Sequence, residues 1–205
     1  MSWFSRFYDP LLAPAERLVF AVKRRELLAA TSGRVLELGA GTGANLQHYP
    51  DDVELVLTEP DDGMRSLLEP RAERRPRTEV HDARGESLPF PDASFDVVVA
   101  TLVLCSVRDP EAVASEIRRV LRDDGRFVFL EHVASDGWRG SLQRGLDPAW
   151  QAIAGHCHLH RDPLPVLARA GLRVHDARIE RPWVVPPFLQ PILSGVAFPA
   201  VRAGR

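Results

Sequence analysis

A strand from Arg34 to Leu38 runs straight into Gly39-Ala40-Gly41-Thr42-Gly43, and this junction constrains the fold of the chain more than any other stretch. Glycines adopt φ > 0 without strain and let a ligand approach the backbone where side chains would block it. A dinucleotide fingerprint reads G-x-G-x-x-G, with its last glycine against a helix whose N-terminus faces a pyrophosphate. The spacing here is G-x-G-x-G. Glu37, two residues before the first glycine, would repel a pyrophosphate and suits a cationic ligand. A second apolar strand, Leu55-Val56-Leu57-Thr58, ends on Glu59. Ligands of open α/β sheets bind outside the carboxyl ends of the strands, so a carboxylate there can accept from ribose hydroxyls. The plainer alternative is a tight strand-to-helix connection followed by a solvated acid.

The rest of the chain predicts strands alternating with helices, hence a doubly wound, mostly parallel sheet. Leu18, Val19, Val22, Leu27 and Leu28 place a helix over Ala15 to Ala30, ended by Thr31-Ser32-Gly33. A helix starting over Ala44 to Tyr49 is expected to face the ligand with its N-terminus. Asp61 is an N-cap for a helix reaching about Arg74, and Thr78 to His81 reads as a weak third strand. Ser94 to Thr101 is a continuous apolar run of the kind buried on both faces of a parallel sheet. Asp109-Pro110 opens a helix through Leu121. Asp124-Gly125 is expected to turn the chain into a fifth strand, Phe127 to Leu130. A helical segment covering 134–170 should lie over the site, and Leu172 to Ile179 with Ile192 to Phe198 should be the last two strands.

With 26 basic against 28 acidic side chains over 205 residues, the charge balance offers no footprint for nucleic acid. The length fits a single domain. Two distant cysteines, Cys105 and Cys157, do not make a disulfide framework, so a reducing, cytoplasmic setting is expected. No stretch approaches the roughly 20 apolar residues of a membrane span. Trp3, Phe4, Phe7 and Tyr8 belong to an expected N-terminal helical cap over 1–31. Packing on the domain, a lid, and peripheral contact with a membrane all remain open for it.

The string E-x-G-x-G-x-G resembles motif I of the class I methyltransferases that use S-adenosyl-L-methionine (SAM), a ligand with a sulfonium and an ammonium. The resemblance implies a Rossmann-like, seven-stranded, mostly parallel sheet with an antiparallel edge hairpin. It also implies a cofactor set. Around the first loop this comprises Glu37, Gly39, Ala40, Gly41, Thr42, Gly43 and Asn45; after the second strand, Glu59, Pro60 and Met64. The segment Gly85-Glu86-Ser87-Leu88-Pro89-Phe90 resembles the family's adenine-bordering stretch, which adds Gly85 and Glu86. Arg84 stands where the family has Asp or Asn, leaving backbone groups or Asp82 for the adenine amino group. Thr101 and Leu102 fall where the family holds the methionine end.

Thr101-Leu102-Val103-Leu104-Cys105-Ser106-Val107, Glu131-His132-Val133-Ala134 and Leu146-Asp147-Pro148-Ala149-Trp150, with Cys157, Leu159 and Arg161, resemble a narrower group, the thiol S-methyltransferases. Animal members carry a hydrophobic N-terminal anchor, which the first residues here do not match. The resemblance implies methyl transfer to a small-molecule acceptor such as a thiol. An N- or O-methyltransferase of a lipid head group, quinone or secondary metabolite, or a SAM-binding module without catalysis, are the alternatives. These motifs set neither the acceptor nor the oligomeric state. His132, His156 and His158 are the candidate proton acceptors, since imidazole titrates near neutral pH. The run His156-Cys157-His158-Leu159-His160 is set aside as a metal site because its alternating side chains need not converge.

Overall fold

Successive side chains of a strand point to opposite faces, and in β1 (Arg34–Leu38) and β4 (Phe95–Thr101) both faces are apolar and buried. Such strands need cover on two sides, which fixes a three-layer arrangement. The computed structural model describes residues 19–154 and 156–200; the N-terminal aromatic segment and residues 15–18 of the expected helix lie outside them. On one face Leu36, Val98, Phe127 and Phe129 pack with Val113, Ile117 and Val120 of α3 (Pro110–Val120) and Leu167 of α5 (Pro163–Arg169). On the other, Val35, Leu55, Val97 and Val128 pack with Leu28 of α1 (Ala21–Leu28) and with Leu68 and Ala72 of α2 (Asp62–Ala72).

The described strands form one seven-stranded sheet of order β3-β2-β1-β4-β5-β7-β6. β2 (Glu54–Thr58), β3 (Thr78–His81) and β5 (Leu121–His132) join β1 and β4 in parallel. β7 (Ile192–Pro199) runs antiparallel to both β5 and β6 (Leu172–Glu180). Placing β1 centrally, with β2 and β3 on one side and β4 and β5 on the other, creates a switch point at its carboxyl end, the position where such sheets bind ligands.

Three local expectations are corrected. Beyond Gly43 the chain forms a 3-10 turn over Leu46–His48 in place of an α-helix. Pro50 lies too close for a helix to propagate, because the residue before a proline is pushed out of the helical region; Tyr49 is extended, with ψ 142°. The strand expected to start at Phe127 starts at Leu121, and Asp124-Gly125 falls inside it, where the pairing with β4 slips between Phe95 and Val97. In α1 the side chain turned inward beside Leu28 is Arg24, whereas Val22 is exposed. The N-caps were legible: Asp61 accepts from Met64 N and Asp109 from Glu111 N. The segment after β5 supplies α4 (Gly137–Ile153) and α5.

Candidate active site

Two groups of side chains gather beyond the carboxyl ends of the central strands. The first surrounds the glycine loop. Gly39 (φ 57°) and Gly41 (φ 59°) both occupy the left-handed region, and a Cβ on Gly39 would come within 2.9 Å of Val103. At Gly41 the one neighbour among the described residues that such a Cβ would meet is Met64 Sδ at 3.9 Å, so these residues leave the face of Gly41 open. Ala40 N donates to Thr58 O at 2.9 Å and Gly41 N to Glu59 Oε2 at 2.8 Å, tying the loop to the end of β2. The other oxygen of Glu59 accepts from Asp61 N at 2.9 Å, across Pro60. Burial pushes the Glu59 carboxyl up, against the backbone donors of Asp61 and Gly41.

Glu37 is buried behind this loop. Its Oε1 accepts from Asn45 Nδ2 at 3.0 Å and its Oε2 from the Tyr49 hydroxyl at 2.7 Å. Asn45 Nδ2 also lies 3.0 Å from Thr101 Oγ1, and Asn45 Oδ1 accepts from Arg24 at 3.2 Å. Asn45 thus joins the ends of β1 and β4 to α1. Burial pushes the Glu37 carboxyl up to about 7, opposed by Tyr49, Arg24 and Asn45. Both of its oxygens thus have protein donors. Thr42 is buried, and its carbonyl accepts from Arg71 at 2.6 Å.

Gly85 lies under α3, where a Cβ would meet Val113 at 3.3 Å, and Glu86 accepts from Arg108 N at 2.8 Å, fastening its turn to the start of that helix. Asp82 pairs with Arg65 at 3.3 Å. Leu102, which carries no glycine-like licence, has φ 59° where the chain leaves β4. That conformation costs a non-glycine residue about 1–2 kcal/mol and concentrates at functional sites. Its N–H donates to Leu130 O at 2.7 Å.

The second group lies at the end of β5. Glu131 Oε1 accepts from both Val103 N and Leu104 N at 2.9 Å, while Oε2 is buried without a hydrogen-bond partner among the described residues. Burial pushes this carboxyl up to about 7, against the two backbone donors. His132 Nε2 lies 2.8 Å from Cys157 Sγ, which shares a 3.6 Å contact with Cys105 Sγ. Arg161 Nη1 donates to the carbonyls of Leu104, Cys105 and Val107 at 3.1, 3.2 and 2.6 Å. Cys105, Glu131, His132 and Arg161 border a cavity of about 90 Å³ whose apolar wall is Leu104, Pro110, Pro163 and Val166.

Of the three histidines singled out from sequence, His132 lines this cavity. His156 is exposed at φ 65°, and His158 is half-buried with Nδ1 3.8 Å from Asp147. Asp147, buried in α4, fixes the segment after that helix by accepting from Leu159 N at 2.7 Å and Gln151 Nε2 at 2.6 Å. Sequence reasoning missed the roles of Glu131 and Asp147. The only signal was their presence in strings that resemble other proteins, because the backbone groups they hold are remote in sequence or have no side-chain signature.

Residues 36–129 match the model of a family described as a methyltransferase domain. Human thiol S-methyltransferase TMT1A is 36% identical over 189 residues, covering 82% of this chain and 77% of that protein. The chain belongs to the SAM-dependent methyltransferases. Mouse thiol S-methyltransferase TMT1B is 41% identical over 182 residues, covering 81% of the methyltransferase described here and 72% of the relative. In fold it is similar to geranyl diphosphate C-methyltransferase from Streptomyces coelicolor A3(2), solved with Mg2+, geranyl diphosphate and S-adenosyl-L-homocysteine (TM-score 0.70, 14% identity, 94% of this chain and 85% of that one). The enzyme's cofactor is therefore SAM, and its sheet is the methyltransferase sheet. Among the described residues no helix is long and apolar enough to cross a membrane.

Proposed function

We propose that this methyltransferase moves the methyl group of SAM onto a small, neutral thiol. The observation that carries the reading is the likeness, at 36 and 41% identity over most of the chain, to proteins named thiol S-methyltransferases. The cavity agrees with it. Its wall is largely apolar, formed by Leu104, Pro110, Pro163 and Val166, which suits a neutral acceptor. In this reading SAM lies along the glycine loop, with Glu59 accepting from the ribose and Gly85 and Glu86 bordering the adenine. Thr101 and Leu102 face the methionine end. The acceptor sits at Leu104, His132 and Val166. The sulfonium is already activated, so the protein's task is to align nucleophile, methyl carbon and leaving sulfur. The two free thiols, Cys105 and Cys157, suit a reducing compartment.

A panel of small thiols, amines and phenols, with products read by mass, tests this assignment. Apolar thiols should gain a methyl group while amines and phenols stay unchanged. Turnover of amines or phenols with every thiol inert would remove it. Val166→Phe should fill the cavity and raise the acceptor KM by about tenfold or more, the scale on which an apolar pocket discriminates by size, with affinity for S-adenosyl-L-homocysteine retained. A loss of cofactor affinity instead would place the acceptor elsewhere.

A further inference from the structure

Cys105 Sγ, His132 Nε2 and Cys157 Sγ converge within 4.8 Å of one another, Cys105 and His132 buried and Cys157 half-buried, and the reading above gives the two thiols no chemical task. It shares only Cys157 with the histidine-rich run weighed from the sequence. Cys105 follows β4, His132 ends β5, and Cys157 lies between α4 and α5. Two thiols and an imidazole are the donor set that thiophilic divalent ions select, and three protein ligands with one open position is the arrangement of catalytic zinc. With bonds of about 2.3 Å to sulfur and 2.0–2.1 Å to nitrogen, a tetrahedral ion needs ligand separations of about 3.7 Å between sulfurs and about 3.5 Å between sulfur and nitrogen. The sulfurs already stand 3.6 Å apart. The His132–Cys157 separation of 2.8 Å must open by about 0.7 Å to meet the same geometry.

The surroundings hold the cluster in place. His158 N donates to Cys105 O at 2.8 Å, Cys157 N to Ala154 O at 3.1 Å, and Arg161 clamps the carbonyl of Cys105 from the other side. A divalent ion would hold both sulfurs as thiolates and neutralise them. Cys105 and His132 also line the cavity, so the open position of such an ion has somewhere to face.

We propose that Cys105, His132 and Cys157 bind one thiophilic divalent cation of the zinc class, whose fourth position takes the sulfur of the acceptor. The second half of this proposal rests on the thiol reading; the first does not. As the acceptor thiol ligates, its proton passes to solvent and the ion keeps the sulfur as thiolate near neutral pH. A sulfur lone pair then forms the new bond to the methyl carbon while the sulfonium bond to that carbon breaks. Its electron pair goes to the cofactor sulfur, giving S-adenosyl-L-homocysteine, and the ion is unchanged.

Untagged full-length protein, stripped with chelator, loaded with Zn2+ and desalted, should retain one equivalent by elemental analysis. Co2+ should produce the intense visible bands of a tetrahedral site and a thiolate-to-cobalt band in the near ultraviolet. Adding a small thiol without SAM should shift those bands. Cys105→Ser and Cys157→Ser should lose the ion and keep affinity for S-adenosyl-L-homocysteine. Wild-type protein that retains no zinc and gives no thiolate-to-cobalt band overturns the site, whether or not the variants fold. Full thiol turnover by metal-free wild type overturns the ion's role as ligand of the acceptor sulfur and leaves the thiol assignment standing. A bound ion in an enzyme that methylates no thiol leaves the site standing and removes the acceptor assignment.

Discussion

Replacing Glu59 by alanine should weaken binding of S-adenosyl-L-homocysteine by about 100-fold or more, since each hydrogen bond to a charged group contributes about 1.5–3 kcal/mol and two ribose hydroxyls would lose theirs. The loss has a second source in the protein. Glu59 is the acceptor for Gly41 N at 2.8 Å and Asp61 N at 2.9 Å, so its removal also releases the glycine loop from β2. Calorimetry on protein shown to be folded by its thermal transition reads the effect. Glu59→Gln separates the two contributions, because the amide oxygen can hold one backbone donor but the ribose loses a charged acceptor. Wild-type affinity in the folded alanine variant would dismiss the ribose assignment.

The ionisation of Glu37 and Glu131 should subtract from the stability of the enzyme without cofactor as pH rises from about 4.5 to about 7. Glu37 and Glu131 are both pushed from 4.5 to about 7, in each case by burial. A folded carboxyl that holds its proton more tightly than the unfolded chain makes folding take up protons across that window, and stability falls there with rising pH. Above the folded value the cost is constant. Glu37→Gln cannot ionise, so its stability relative to wild type should improve by about 3 kcal/mol across the window, at about 1.36 kcal/mol per unit of pKa. Urea midpoints for both proteins at pH 5 and pH 8 check this. A gap between them that does not change with pH would mean that Glu37 titrates alike in folded and unfolded chains.

The sheet and its glycine loop were largely legible because their signals are local. A β-strand buried on two faces announces itself as an apolar run, as Phe95 to Thr101 does, and a loop with three positive φ values announces itself by Gly39, Gly41 and Gly43. Element ends were less legible where two local rules compete. Ala44 to Tyr49 has helical composition, yet Pro50 stops propagation and only a 3-10 turn forms. Asp124-Gly125 is a turn sequence that the pairing of β4 with β5 absorbs as an irregularity. The second half of the site was legible only as isolated residues. Cys105 and Cys157 are 52 positions apart and His132 lies 25 from Cys157, so their meeting depends on the order of β4 and β5 in the sheet and on the fold of the segment after α4. Leu102 in the left-handed region leaves no trace in composition at all.

Glu37, Glu59 and Glu131 have one property in common: each is a buried acid at the carboxyl end of a sheet strand or just past it, on the same edge. Turnover changes what that edge sees. SAM enters carrying a sulfonium and an ammonium, and the transferred methyl takes the sulfonium charge away, leaving a neutral thioether. In the reading proposed above, these three carboxyls, once ionised, attract the reactant more strongly than the spent cofactor, and so would tilt the exchange of product for fresh reactant in the forward direction.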